Sequence, residues 1–168
     1  GLGEGATAIA GAIAAIYWLL MLVGRSLSSV ISGKVSSRTQ LITVSVAGIA
    51  FVALAIFMPE SIKVSMPGYA DGAFILKEVP ISAMFLVLCG LCTSVMWGGI
   101  FNMAVEGLGK YTAVASGIFM TMVFGCAVML AIQAQVAEMT DYMTSYWVVL
   151  FSAAYLLFYA LIGSKVKK

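Results

Sequence analysis

Five separate apolar runs constrain this chain more than any other feature. They cover residues 6–33, 41–58, 81–105, 112–137 and 145–163. A helix rises about 1.5 Å per residue, so runs of roughly 20 residues cross a hydrocarbon core about 30 Å thick. Lipid offers the backbone no hydrogen-bond partner, so each run must satisfy its own N–H and C=O groups as a helix. Composition points the same way: 62% of the 168 residues are hydrophobic and 10% are charged, where soluble domains carry about 25% charge. The expected fold class is an all-α membrane protein with five transmembrane helices. No basic patch is large enough to suggest nucleic acid as a partner; the expected surroundings are a lipid bilayer.

Orientation follows from the bases in the connections. Arg25, Lys34, Arg38, Lys110, Lys165, Lys167 and Lys168 fall on one side, against Lys63 and Lys77 on the other with Glu4, Glu60, Asp71, Glu78, Glu138 and Asp141. This predicts a cytoplasmic C-terminus, the N-terminal end outside, and a multi-pass place in an inner (cell) membrane. Gly1–Gly5 resembles no secretory signal, and a first helix that begins outside implies at least one helix before it. The long connection, 59–80, has Pro67, Gly68 and Gly72 as turn signals between "SIKVSM" and "AFILKE"; an outer hairpin and an irregular loop both remain open there. Pro59 should end the second helix and Pro80 should sit in the first turn of the third.

Function has to be sought in the polar minority. There is no histidine, so neither a His-containing metal cluster nor a His base is available, and no metal or cofactor is expected. Cys89-Gly-Leu-Cys92 has CxxC spacing, but a bilayer helix lacks the polar, accessible surroundings of a reactive thiolate. No Ser–Lys, His or paired-acid arrangement supplies nucleophile and base together, which argues against an enzyme. The second and fifth helices have little polar content and should face lipid. The first, third and fourth carry Gly, Ser, Thr and amides and should line an interior, where such groups serve either close packing or a pathway.

Trp97, followed by Gly98 and Gly99 and with Asn102 one turn further on, offers an indole face beside missing side-chain bulk and an amide. That is a platform suited to a sugar ring. Gln133 buries a second amide, and Tyr17 and Trp18 are weaker candidates for the same wall. Arg25 lies eight residues before Gly33, about 12 Å along the helix axis. An intramembrane charge needs a partner, and Glu106 is the best one in this chain, with an acid elsewhere as the alternative. A pair that formed in one state and broke in another would act as a gate. No helix centre carries Asp, Glu or His, so a coupling site for a proton is not expected in these residues.

Three stretches resemble the fucose–glucose/galactose–H⁺ symporters of the major facilitator superfamily. They are "YWLLMLVGRSLSSVISGKV" with Gly24 and Arg25 in register; "SVMWGGIFNMAVEGLGKYT" with Ser94, Trp97, Ile100, Phe101, Gly107, Leu108 and Gly109; and "ASGIFMTMVFGCAVMLAIQAQVAE" with Ser116, Gly117, Gly125, Gln133 and Glu138. The resemblance implies the last five helices of a twelve-helix fold, that is, a partial C-terminal six-helix bundle spanning residues 1–168. It further implies proton-coupled transport of a monosaccharide by alternating access, Trp97 as a sugar-facing aromatic, and a missing N-terminal half on the same or a separate chain. The rival expectation is a non-transporting membrane subunit whose glycines and amides dock partner helices.

Overall fold

Serine and aspartate caps decide where two of the helices start. In the computed structural model, which describes residues 5–59, 61–70 and 73–163, Ser36 accepts a hydrogen bond from the Thr39 amide at 3.2 Å. The helix α2 therefore begins at Ser37 and runs to Phe57, one turn earlier than the apolar run alone suggests. Asp141 does the same for α6, accepting from the Thr144 amide at 2.9 Å and its hydroxyl at 2.6 Å; α6 spans Tyr142–Phe158 and closes in a π-helical turn, Tyr159–Gly163. The side-chain oxygen replaces a partner that the first-turn N–H groups otherwise lack.

Helix α1 spans Gly5–Ile31 and α3 spans Ile81–Val105. Pro80 stands just before α3, as its N-cap. The fourth apolar run is a 31-residue span, Gly109–Met139, but not one helix. A 3-10 turn, Gly109–Tyr111, leads into α4, Thr112–Met122, and a break at Val123 separates it from α5, Phe124–Met139. At the break the Val123 amide turns back to the Met120 carbonyl at 3.2 Å. Gly107 and Gly109, at φ 78° and 51°, make the turn out of α3, a left-handed conformation that costs other residues about 1–2 kcal/mol. Five spans among the described residues are long and apolar enough to cross a membrane; this is an all-α membrane protein.

The long connection forms a two-stranded antiparallel ribbon, β1 (Lys63–Ala70) against β2 (Ala73–Pro80). Pro67 and Gly68 do not turn the chain, as the sequence suggested; they lie within β1 opposite Leu76 and Ile75. A ribbon of two strands leaves one edge of each strand free, which is where a residue without an N–H is tolerated. The expected turn residue Gly72 lies outside the described residues, as do Gly1, Glu4, Glu60, Asp71 and the tail lysines Lys165, Lys167 and Lys168. Residues alternate across the ribbon: Met66 and Val79 are buried against Val87 of α3, with Ile13, Ile16 and Leu20 of α1 packed beside them, while Ser65 and Glu78 are exposed.

Helix α3 is the centre of the arrangement, packed against α1 on one flank and α2 on the other; α6 rests on α2 and α5. The buried face of α2, Leu41, Ser45, Gly48, Val52 and Ala55, repeats at steps of four and three. The second core joins Leu41 of α2, Cys92 and Met96 of α3 and Ala160 at the end of the fifth span. The second and fifth spans, expected to face lipid, thus each turn one face to this core and expose the other, with Val46, Leu54, Phe57, Phe151 and Tyr155 outward. Arg38 fastens the same end, its Nε donating to the Ala160 carbonyl at 2.8 Å and its Nη2 to Leu161 at 2.6 Å.

Candidate functional site

Arg25, Ser28 and Ser29 lie three or four residues apart near the end of α1, and Ser32, just past its last residue, keeps the spacing with its amide on the Ser28 carbonyl at 2.8 Å, so helical geometry puts them on one face. What brings that face against α3 is the glycines at the crossing. An ideal Cβ at Gly24 would lie 2.9 Å from the Leu91 carbonyl oxygen and would overlap the Ser94 hydroxyl; at Gly90 it would lie 2.7 Å from the Tyr17 carbonyl oxygen. The two backbones touch because those side chains are absent, and the Tyr17 hydroxyl shares a hydrogen bond of 2.9 Å with Thr93 Oγ1 across the same contact.

The α1 face thereby meets the C-terminal half of α3 in a groove of about 310 Å³ lined by Arg25, the three serines, Ser94, Trp97, Gly98 and Asn102, with Ser37 and Gln40 of α2 at one side. Trp97 is 40% exposed. Its indole is braced by Phe119 of α4, the ring centroids 5.3 Å apart, and Phe119 meets Phe101 edge-on at 5.4 Å. A Cβ at Gly98 would meet nothing within 4 Å, so that glycine leaves open space beside the indole. Asn102 is exposed one turn further on. Among the described residues no carboxylate lines the groove, and Arg25 is its one charge. A guanidinium, an amide, several hydroxyls and an aromatic face in one pocket supply donors, acceptors and a stacking surface, which together suit a polyhydroxylated ligand.

Of the residues singled out from the sequence, Trp97, Asn102 and Arg25 come together here. Glu106 does not join them: it is exposed just beyond the end of α3, and among the described residues Arg25 and Glu106 form no ion pair in this conformation. Gln133 is half-buried on α5, which packs on α6, away from the groove. Tyr17 lines a separate cavity of about 440 Å³ with Thr93, Cys89 and Tyr146. Trp18 is 64% exposed and stands edge-on to Tyr17 at 5.9 Å.

Gln40 is the contributor that sequence reasoning missed. It accepts from Ser28 Oγ at 2.9 Å and donates to Ser32 Oγ at 3.3 Å and to the Val35 carbonyl at 2.9 Å. Placing the second helix at 41 left Gln40 in a loop; Ser36 as an N-cap was the available signal that it belongs to the first helical turn.

Two strains of Helicobacter pylori hold candidate glucose/galactose transporters that are 30% identical to the chain over 155 residues, 89% of the chain and 33% of those proteins. The chain is similar to glucose/galactose transporters. A glucose/galactose transporter of Brucella abortus biovar 1 is 38% identical over 84 residues, 49% of the chain and 20% of that protein. The chain thus spans about a third or less of the length of these curated relatives. No protein-family model and no solved structure matches it.

Proposed function

We propose that the chain forms part of a secondary carrier that moves a monosaccharide of glucose or galactose type across a cell membrane. The observation that carries this reading is the groove itself, where Trp97, Asn102, Arg25 and the serines of α1 converge, taken with the similarity to glucose/galactose transporters. In this reading the indole of Trp97 stacks on the apolar face of the sugar ring while the amide and hydroxyls bind its hydroxyl groups. The remaining wall comes from the portion by which the relatives exceed this chain, in the manner of the major facilitator fold that the sequence resembles, and transport proceeds by alternating access at the interface of two bundles.

Proton coupling belongs to the same proposal. No helix centre of this chain carries an Asp, Glu or His, so the titrating acid would lie in the rest of the protein. Arg25 would pair with an acid, Glu106 or one outside this chain, in one conformation and release it in another. Gln133 would enter the site in a conformation that brings α5 toward α3. The chain would sit in the inner membrane with its C-terminus cytoplasmic.

The decisive experiment is uptake of labelled glucose and galactose by the full polypeptide in proteoliposomes, together with sugar binding by the Trp97→Ala variant. Loss of the indole should weaken binding about two- to tenfold, corresponding to the ~0.5–1.5 kcal/mol of an aromatic face contact. Unchanged sugar affinity in a folded Trp97→Ala protein removes the groove from the sugar path.

A further inference from the structure

Beside the polar groove, across Ser28 and Gln40, lies a second cleft. It holds about 390 Å³ and is walled by Leu27 and Ile31 of α1 and Val44 of α2, with Leu91 and Val95 of α3 among its lining. Helices α1 and α2 each pack on α3 but hardly on one another. Ser28 and Gln40, joined by their 2.9 Å hydrogen bond, line both this cleft and the polar groove and so form the partition between them.

What fills such a space in a membrane follows from its size and chemistry. A third helix is about 10–12 Å across with its side chains. It cannot pass between two helices whose side chains bond directly and whose ends are joined through residues 32–36. Water gains few polar partners there, because the polar residues in the lining are already bonded: Ser28 to Gln40, Gln40 to the Val35 carbonyl and Thr43 to the Thr39 carbonyl. A lipid tail fits, and Leu27 in the wall and Val30 beside it on α1 are both exposed.

A tail that enters the cleft exchanges one apolar environment for another, so the walls alone select no particular lipid. Selection falls to the head group. Val35 lines the cleft, and the preceding residue, Lys34, is an exposed base in the turn after α1, its amide bonded at 2.8 Å to the carbonyl of Ile31, another lining residue. Residues 32–40 contain Lys34 and Arg38 and no acid. Arg38 is committed to the carbonyls of Ala160 and Leu161, which leaves Lys34 as the cation for a ligand here.

We infer that the cleft between α1 and α2 is a binding site for an anionic phospholipid, one acyl chain lying along Leu27, Ile31 and Val44 and the phosphate facing Lys34. Its head-group end lies apart from the polar groove, whose lining does not include Lys34, while Ser28 and Gln40 line both spaces.

The test uses the full polypeptide in mild detergent, offered an equimolar mixture of phosphatidylglycerol and phosphatidylcholine with identical acyl chains, with bound lipid counted by native mass spectrometry. Phosphatidylglycerol should be retained in preference. Lys34→Gln should lower its retention about fivefold, the effect of one base near an anionic surface, without changing retention of phosphatidylcholine. Val44→Trp, which fills the cleft, should remove the retained phosphatidylglycerol. Equal retention of the two lipids by the unaltered protein overturns the inference, and so does unaltered selectivity in Lys34→Gln, a change on an exposed turn that does not depend on Val44→Trp folding. Displacement of the lipid by inorganic phosphate alone would also overturn it, because the tail would then contribute nothing.

Discussion

Gly90→Ala tests the crossing on which the polar groove depends. The new methyl carbon would lie 2.7 Å from the Tyr17 carbonyl oxygen and 3.1 Å from a carbon of its ring, where ordinary contact begins at 3.4 Å. The difference, 3.4 − 2.7, requires α1 to retreat by about 0.7 Å at this point. The obstacle is backbone, so no rotamer change relieves it. The Tyr17–Thr93 hydrogen bond, three residues along α3, is pulled apart with it. Overpacking of this kind costs about 1–3 kcal/mol, offset by the ~0.5–1 kcal/mol that alanine gains over glycine within a helix. The expected net loss is about 0.5–2 kcal/mol.

Reversible unfolding of the full polypeptide in mixed micelles, followed by tryptophan fluorescence, measures that loss. Gly33→Ala serves as the control, because a Cβ at Gly33 meets nothing within 4 Å, and its stability should equal or slightly exceed the parent's. A Gly90→Ala protein as stable as the parent would refute the close α1–α3 approach, and with it the argument that glycine places Arg25 and the serines beside Trp97.

Four further outcomes are expected. Arg38→Ala removes two hydrogen bonds from a charged donor and should cost about 1–2 kcal/mol, seen as faster amide exchange in residues 159–163 with exchange in α3 unchanged. Ser45 is fully buried and its hydroxyl has no partner among the described residues, so Ser45→Ala should leave stability equal or raise it by up to about 1 kcal/mol; a clear loss would reveal a bond to that oxygen. Hydrogen bonds from the Thr144 side chain and then its backbone hold the Asp141 carboxyl below the usual aspartate range. A lowered folded-state pKa gives a contribution that is present above the unfolded value and lost as pH falls through the folded one, so Thr144 amide protection should survive acidification past ordinary aspartate protonation and disappear below it. In a protein lacking Cys89, Cys92 and Cys126, a cysteine at Asn102 should react with a water-soluble thiol reagent, whereas one that resisted would turn the groove into a packing surface.

Much of the fold could be read along the chain because membrane insertion depends on local properties. The length of an apolar run decides whether it spans, and proline and serine mark where helices begin, as at Pro80 and Ser36. The break at Val123 was not legible: "TMVFG" contains no proline, and the interruption is visible only in how the Val123 amide bonds back to Met120. Pro67 and Gly68 misled in the opposite direction, since a free ribbon edge accepts residues that a central strand would reject.

The sequence by itself determined that this chain lives in a bilayer as helices, and it marked Trp97, Asn102 and Arg25 as polar or aromatic groups needing a purpose there. Tertiary structure decided which of them meet. Helices surrounded by lipid carry no reliable apolar stripe to show which face packs, because lipid is as apolar as a neighbouring helix. The absence of side chains at Gly24 and Gly90 let α1 close on α3, joining Arg25 and the serines to Trp97 and Asn102 while leaving Gln133, Tyr17 and Trp18 outside the groove.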